Sequence, residues 1–318
     1  MTWLVEEGIG EHRALQVGRD RAIAARIEWP GKLAAGLVED ARLVQFDPKA
    51  RRGLAKFANG EEVLVDRLPA ARCEGSAIRL EVTRAALAES GRLKRAQARP
   101  TTADARPAPS LAEALSARVV ARFPAGLWED VWTDAWTGEI GFPGGALLFA
   151  PTPAMTVVDV DGSAPPAQLA RDAVGPLAAA LRRLDMGGSI AVDFPSLADK
   201  AQRREVDRLL GEALDGWPHE RTAMNGFGLV QLVARLKRPS LLHRLALSRA
   251  GAAARMLLRR GEQIAEPGAL LLTAHPEVTA KLRDDWLAEL ARRTGREVRL
   301  VSDAGLALDG GFAQAVPR

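Results

Sequence analysis

The feature that most constrains this chain is a change in the spacing of its apolar residues partway along. Residues 1 to 84 carry short alternating runs (Trp3 to Glu6, Arg13 to Val17, Ala22 to Glu28, Leu37 to Phe46, Leu54 to Phe57, Glu62 to Asp66, Ala77 to Thr83). Trp29-Pro30-Gly31, Asn59-Gly60 and Glu74-Gly75 separate them, which predicts strands and tight turns closing into a small barrel of the OB type or a curled sheet. Residues 96 to 110, with Pro at 100, 107 and 109, read as a linker or extended crossing segment. Helices are then predicted over Leu111 to Ala121 and Leu127 to Trp136, and a strand over Ala146 to Ala150. Further on the period alternates between strand and helix. Thr156 to Val160, Pro165 to Leu184 with a kink at Gly175-Pro176, and Ser189 to Val192 form a βαβ unit. A helix capped by Ser196 to about Leu214, a strand near Arg221 to Met224 and a helix to about Lys237 follow. A helix over Leu241 to Arg260, a strand over Ala269 to Thr273, a helix over Glu277 to Arg293 and a strand over Glu297 to Val301 complete an α+β, multi-domain reading.

With 318 residues, 47% of them hydrophobic, the chain has enough apolar material for a packed core, which excludes disorder throughout. No apolar run approaches the roughly 20 residues of a membrane-spanning helix. Glu6, Glu7 and Glu11 stand where a secretory signal needs a basic start and an apolar stretch, so a cytoplasmic location is expected. Cys73 is the one cysteine and supplies neither an internal disulfide nor a Cys-x-x-Cys half-site for zinc.

Net charge is 44 − 40 = +4, and its distribution matters more than its size. Gln231 to Arg260 contains eight basic residues and no Asp or Glu; a second cluster runs from Arg84 to Arg106 through Arg92, Lys94, Arg95 and Arg99. Such density suits a polyphosphate partner, while the plainer reading is a solvated helix face and a solvated linker. The four histidines are isolated, and neither a Walker loop nor a Gly-x-Ser-x-Gly elbow occurs.

The chemistry gathers in VVDVDGS and SIAVD. Strand alternation sends Asp159 and Asp161 to one side, and a right-handed βαβ crossover brings Asp193 to the same carboxyl edge, where open α/β sheets place their sites. Three carboxylates there call for a hard cation, Mg²⁺ or Mn²⁺. Equally, Asp at a strand end caps turns, and Asp161-Gly162 is a turn dipeptide in its own right. Phe46 and Phe57 in the barrel are either core residues or faces for stacking bases.

The stretches PGGALLFAPTPAMTVVDVDGS, GGSIAVDFPSLADKAQRREVDRLLGEAL and NGFGLVQLVARLKRPSL resemble the ribonuclease E/G family over about 145 to 241, and more loosely at both ends. The resemblance implies an OB-like barrel (34–100) inserted in a ribonuclease H-like sheet (1–33 and 101–145). A deoxyribonuclease I-like catalytic subdomain (146–241) and a small C-terminal α/β domain (242–318) would follow. It implies Mg-dependent endonucleolytic hydrolysis of single-stranded RNA to 5′-phosphate and 3′-hydroxyl ends. Asp159 and Asp193 would then be metal ligands, with Asp161 standing where the family usually has Asn. RNA would run along Arg84, Lys94, Arg95 and Arg99 of the barrel, over Phe46 and Phe57. Arg235, Lys237 and Arg238 would lie near the metal, and Arg221 would face the phosphate. The chain departs from the family in several places. LHRLALSRAG stands where larger members carry a Cys-x-x-Cys zinc link, so neither zinc nor a zinc-linked dimer is expected. About 60 residues between barrel and nuclease strand are too few for a 5′-end sensor domain as well. Ala150 and Pro153 replace carboxyl-bearing positions. A catalytically silent RNA-binding protein on the same fold is the alternative, and a phosphodiesterase for small nucleotides a further one.

Overall fold

The computed structural model describes residues 2–317 apart from 31, 32, 90, 91 and 237, and the side chains of 87–93 are also left undescribed. The chain opens on a meander, β1 (Trp3–Gly8), β2 (Glu11–Val17) and β3 (Ala22–Glu28). It then leaves this sheet for β4 (Val38–Asp47), β5 (Arg52–Phe57), β6 (Glu62–Val65) and β7 (Ala77–Arg84). A hairpin, β8 (Leu87–Glu89) and β9 (Arg92–Lys94), leads into β10 (Ala96–Pro100). Strands β10-β6-β5-β4-β7 close into a barrel filled by Leu43, Phe57, Val63, Val65, Leu68, Leu80 and Val82. The first third of the segment read as a linker is therefore a barrel strand, pairing parallel to β6 and antiparallel to β7. Its small residues Ala96 and Ala98 are buried inside the barrel, where bulk is unnecessary.

Helix α1 (Leu111–Leu115) is short. Its Ser110/Glu113 capping box starts it well, but Ser116 adopts the left-handed conformation (φ 48°) and stops it. The chain then forms β11 (Arg118–Val119), parallel to β1, rather than continuing helical to Ala121. Strand β11 completes the sheet that β3 left, so the barrel is an insertion between β3 and β11.

Helix α2 (Leu127–Thr137) precedes the sheet that carries the candidate site: β12 (Glu139–Phe142), β13 (Gly145–Pro151), β14 (Thr156–Gly162), then α3 (Pro166–Arg183), β15 (Gly188–Asp193), α4 (Lys200–Ala213), β16 (His219–Arg221) and β17 (Leu229–Ala234). Its order is β12-β13-β14-β15-β17-β16, parallel between β14 and β15. The segment read as a helix ending at Lys237 is β17. Val230, Leu232 and Ala234 are buried while Gln231 and Val233 face out, a period of two that short apolar runs conceal. The helix ascribed to a Ser196 cap instead begins after Asp199, whose carboxylate accepts the Ala201 N–H at 2.7 Å.

The core lies on one face of this sheet only. Leu169, Ala173, Leu177 and Leu181 of α3 pack against it together with Val206 and Leu210 of α4 and Trp128 of α2. The opposite face carries the exposed residues Leu148 on β13, Asp159 on β14, Asp193 on β15 and Val233 on β17.

The chain ends in α5 (Leu241–Leu247), α6 (Arg249–Gln263), β18 (Ala269–Ala274), α7 (Pro276–Thr279), α8 (Asp284–Thr294), β19 (Val298–Ser302) and β20 (Phe312–Val316). The long helix expected over Leu241 to Arg260 breaks at Ser248, and the one over Glu277 to Arg293 is split into α7 and α8. This lobe docks on the first sheet through a buried ion network. Arg13 bonds Glu6 (2.9 Å) and Glu11 (2.6 Å), and Arg259 of α6 bonds Glu6 (2.8 Å) and Glu129 of α2. Arg255 is clasped between the indoles of Trp29 and Trp286, 4.0 and 4.7 Å from their centroids. Among the described residues no helix is long and apolar enough to cross a membrane.

Candidate metal and nucleic-acid site

Strand β14 buries Val158 and Val160 and turns Asp159 and Asp161 to the open face. On β15, Ile190 and Val192 point into the core and Asp193 points out. The parallel register pairs Thr156 with Ile190 and Asp159 with Asp193, so the two carboxylates are direct neighbours at the carboxyl edge. Both are exposed, and neither forms a hydrogen bond or ion pair with another described residue. On neighbouring strands about 4.8 Å apart, two such charges repel in water by only about 1 kcal/mol, so the fold tolerates them unaided. They nevertheless present unspent oxygen donors to solvent.

Asp161 stands two residues further along, roughly 7 Å by strand rise. It pairs with Ala146 of β13 beyond the end of β15, and its Oδ1 accepts the Gly162 N–H at 2.8 Å. The expectation of three gathered carboxylates thus becomes two together and one offset. No group of three or more His, Cys, Asp or Glu placed to hold a metal occurs among the described residues.

Beside Asp193 lies a feature that residue spacing alone did not reveal. The turn Asn225 to Gly228 is built by its own side chains: Asn225 Oδ1 accepts the N–H groups of Phe227 (2.9 Å) and Leu229 (3.1 Å). Ser196 Oγ donates to the Phe227 carbonyl, and the Phe194 N–H donates to the Gly228 carbonyl. Gly228 has φ 92°, and a Cβ there would lie 2.2 Å from the Phe194 oxygen. This braced turn holds Phe227 82% exposed at the carboxyl edge, since Leu229 is the register partner of Asp193. The Asn-Gly pair was the available signal, obscured by reading the segment as helix.

The aromatic residues expected to stack bases are placed otherwise. Phe57 is 3% exposed inside the barrel, so its ring is covered, and Phe46 packs half-buried against the same core.

The basic residues near the sheet also need correcting. Strand β17 runs antiparallel to β15, with Ala234 opposite Gly188 and Leu229 opposite Asp193. Arg235 and Arg238 follow Ala234 and so sit at the amino edge, about 17 Å from the carboxylates by strand rise. Lys237 lies outside the described residues. Arg221 bonds Asp207 of α4 through its carboxylate (3.0 Å) and its carbonyl (2.7 Å) and is occupied there. On the barrel, Arg84 donates to Gln97 (3.1 Å), Arg95 pairs with Glu62 (3.2 Å) and Arg99 with Glu81 (2.8 Å). Lys94 lines a small pocket with Thr152, Gly188 and Pro239, again at the amino edge.

Compared with known proteins, the chain matches no family model and no curated protein.

Proposed function

We propose that the chain is a metal-dependent endoribonuclease acting on single-stranded RNA, with Asp159 and Asp193 as the metal-holding pair. The observation that supports this most is their cross-strand register on an open sheet face, with all four oxygens free of described partners. An all-oxygen, solvent-open pair suits Mg²⁺ or Mn²⁺, which retain several waters and need only one or two carboxylates from the protein. When bound, such a cation supplies charge neutralisation at a phosphodiester.

The residues around it do the positioning. Phe227 offers an unpaired base an aromatic face beside the scissile phosphate, worth about 1–3 kcal/mol per stacked base. Hydrolysis joins a water oxygen to phosphorus and breaks the P–O3′ bond, leaving a 5′-phosphate and a 3′-hydroxyl. The resemblance to the ribonuclease E/G family favours the same chemistry, and in that reading the barrel is the OB-like RNA-binding module beside a deoxyribonuclease I-like subdomain.

The offset of Asp161 favours a second reading, a catalytically silent RNA-binding protein with an incomplete centre. A fluorogenic single-stranded RNA incubated with Mg²⁺ or Mn²⁺ separates the two. Cleavage that EDTA abolishes and that disappears in Asp159→Asn and Asp193→Asn supports the enzyme. Unchanged RNA affinity with no cleavage under any divalent ion supports the binder.

A further inference from the structure

A cleft of about 550 Å³ opens at the amino edge of the site-bearing sheet, between β3, the end of α3 and the loop before β16. Its polar lining is lopsided. Arg26, Arg235 and Arg238 reach it, against Asp185 as the one carboxylate among the described lining residues. A fourth arginine, Arg182, is spent on the carbonyls of Ala178, Ala213 and Asp215. The first three form no hydrogen bond with any described residue. Asp185 stands 3.7 Å from Arg26 and 3.6 Å from Arg238, too far for good hydrogen bonds, and its Oδ2 is buried with none. Two guanidiniums, Arg26 and Arg238, thus flank one loosely held carboxylate, and Arg235 adds a third set of five N–H donors to the cleft wall.

Burial and the neighbouring Arg238 charge push the Arg26 pKa below its ordinary value, and the Asp185 charge offsets them only in part. Aromatic surface lies alongside. Trp3 is covered by the Arg26 guanidinium, 5.1 Å from its ring centroid, and Trp217 stacks on His219 while contributing to the wall.

We propose that this cleft binds a nucleoside phosphate, its phosphate forked by Arg235 and Arg238 and its base set against Trp217. The volume falls within the 300–1,000 Å³ of small-molecule pockets and far exceeds a lone phosphate. Planar guanidiniums match phosphate oxygens bidentately, and a flat base is what an indole wall accommodates. The nucleotide is either free in solution or a unit of an RNA chain. The cleft lies about 17 Å by strand rise from Asp159 and Asp193, so it stands whether or not those carboxylates carry chemistry.

Titration calorimetry in EDTA, with AMP, inorganic phosphate and adenosine as separate probes, tests this. The expected result is AMP binding more tightly than either fragment, weakened about tenfold or more in R235A/R238A. Trp217→Leu should erase the advantage of AMP over phosphate. Absence of AMP binding at about 1 mM, phosphate binding as tightly as AMP, or unchanged AMP binding in the double variant would overturn the proposal, provided thermal melts show the variants folded. Competition of a short single-stranded RNA against AMP identifies the source: displacement that is lost in R235A/R238A means an RNA unit, and no displacement means the free nucleotide.

Discussion

Asp159 and Asp193 are exposed, so replacing either with Asn should leave the melting temperature nearly unchanged. Metal-dependent cleavage should fall by at least about 100-fold, because losing part of a cation's charge stabilisation costs several kcal/mol at 1.36 kcal/mol per decade. Phe227→Ala should act differently. Loss of one stacked base is worth about 1–3 kcal/mol, which predicts a KM for single-stranded RNA raised about 5- to 150-fold with less change in kcat. An unchanged KM would remove Phe227 from the RNA path. At this scale the aspartates were legible, because strand alternation and a parallel crossover are local rules. The fate of the phenylalanines was not: Phe57 and Phe227 differ in burial only because one faces a barrel interior and the other rides a braced turn.

The elements decide where those side chains stand. Gly228→Ala adds a Cβ against the Phe194 carbonyl at a backbone angle that alanine seldom adopts. The variant should lose about 1–3 kcal/mol of stability in urea denaturation and should also lose Phe227-dependent RNA binding. The resemblance to the ribonuclease E/G family implied that Arg235 and Arg238 lie near the metal. Antiparallel pairing with β15 sends them to the other edge. Short apolar runs such as Leu229 to Ala234 satisfy either period, and only a neighbouring strand settles which face is buried.

Across the whole molecule, Arg259 joins the C-terminal lobe to the opening sheet and to α2. Arg259→Met leaves Glu6 with Arg13 and the Phe123 N–H and strips Glu129, so unfolding free energy should drop by about 3–5 kcal/mol, as it does when one partner of a buried pair is removed. Acid should loosen the same junction. Hydrogen bonds from Arg292 and Arg293 hold the Glu289 carboxyl down to about 2 against an ordinary 4.5. Arg293 also reaches the Glu7 carbonyl and Glu262. A depressed carboxyl contributes stability that is present above pH 4.5 and is lost as pH falls towards 2. Glu262, raised by burial, has the opposite sign: its contribution is lost as pH climbs from the ordinary carboxyl value through its raised one. Thermal melts across pH should therefore show a smaller acid-side loss in Glu289→Gln and a flatter slope just above pH 4.5 in Glu262→Gln.

Local pattern alone determined the β-rich opening, the βαβ unit and the shared edge of Asp159 and Asp193, because each depends on residue periodicity and on the handedness of one crossover. Tertiary structure decided the rest. Closure of the barrel claimed Ala96 to Pro100 as a strand, pairing with β1 stopped α1 short, and the direction of β17 parted the cations from the carboxylates. Each of those outcomes depends on hydrogen bonds between residues far apart in sequence, whose partners no local window contains.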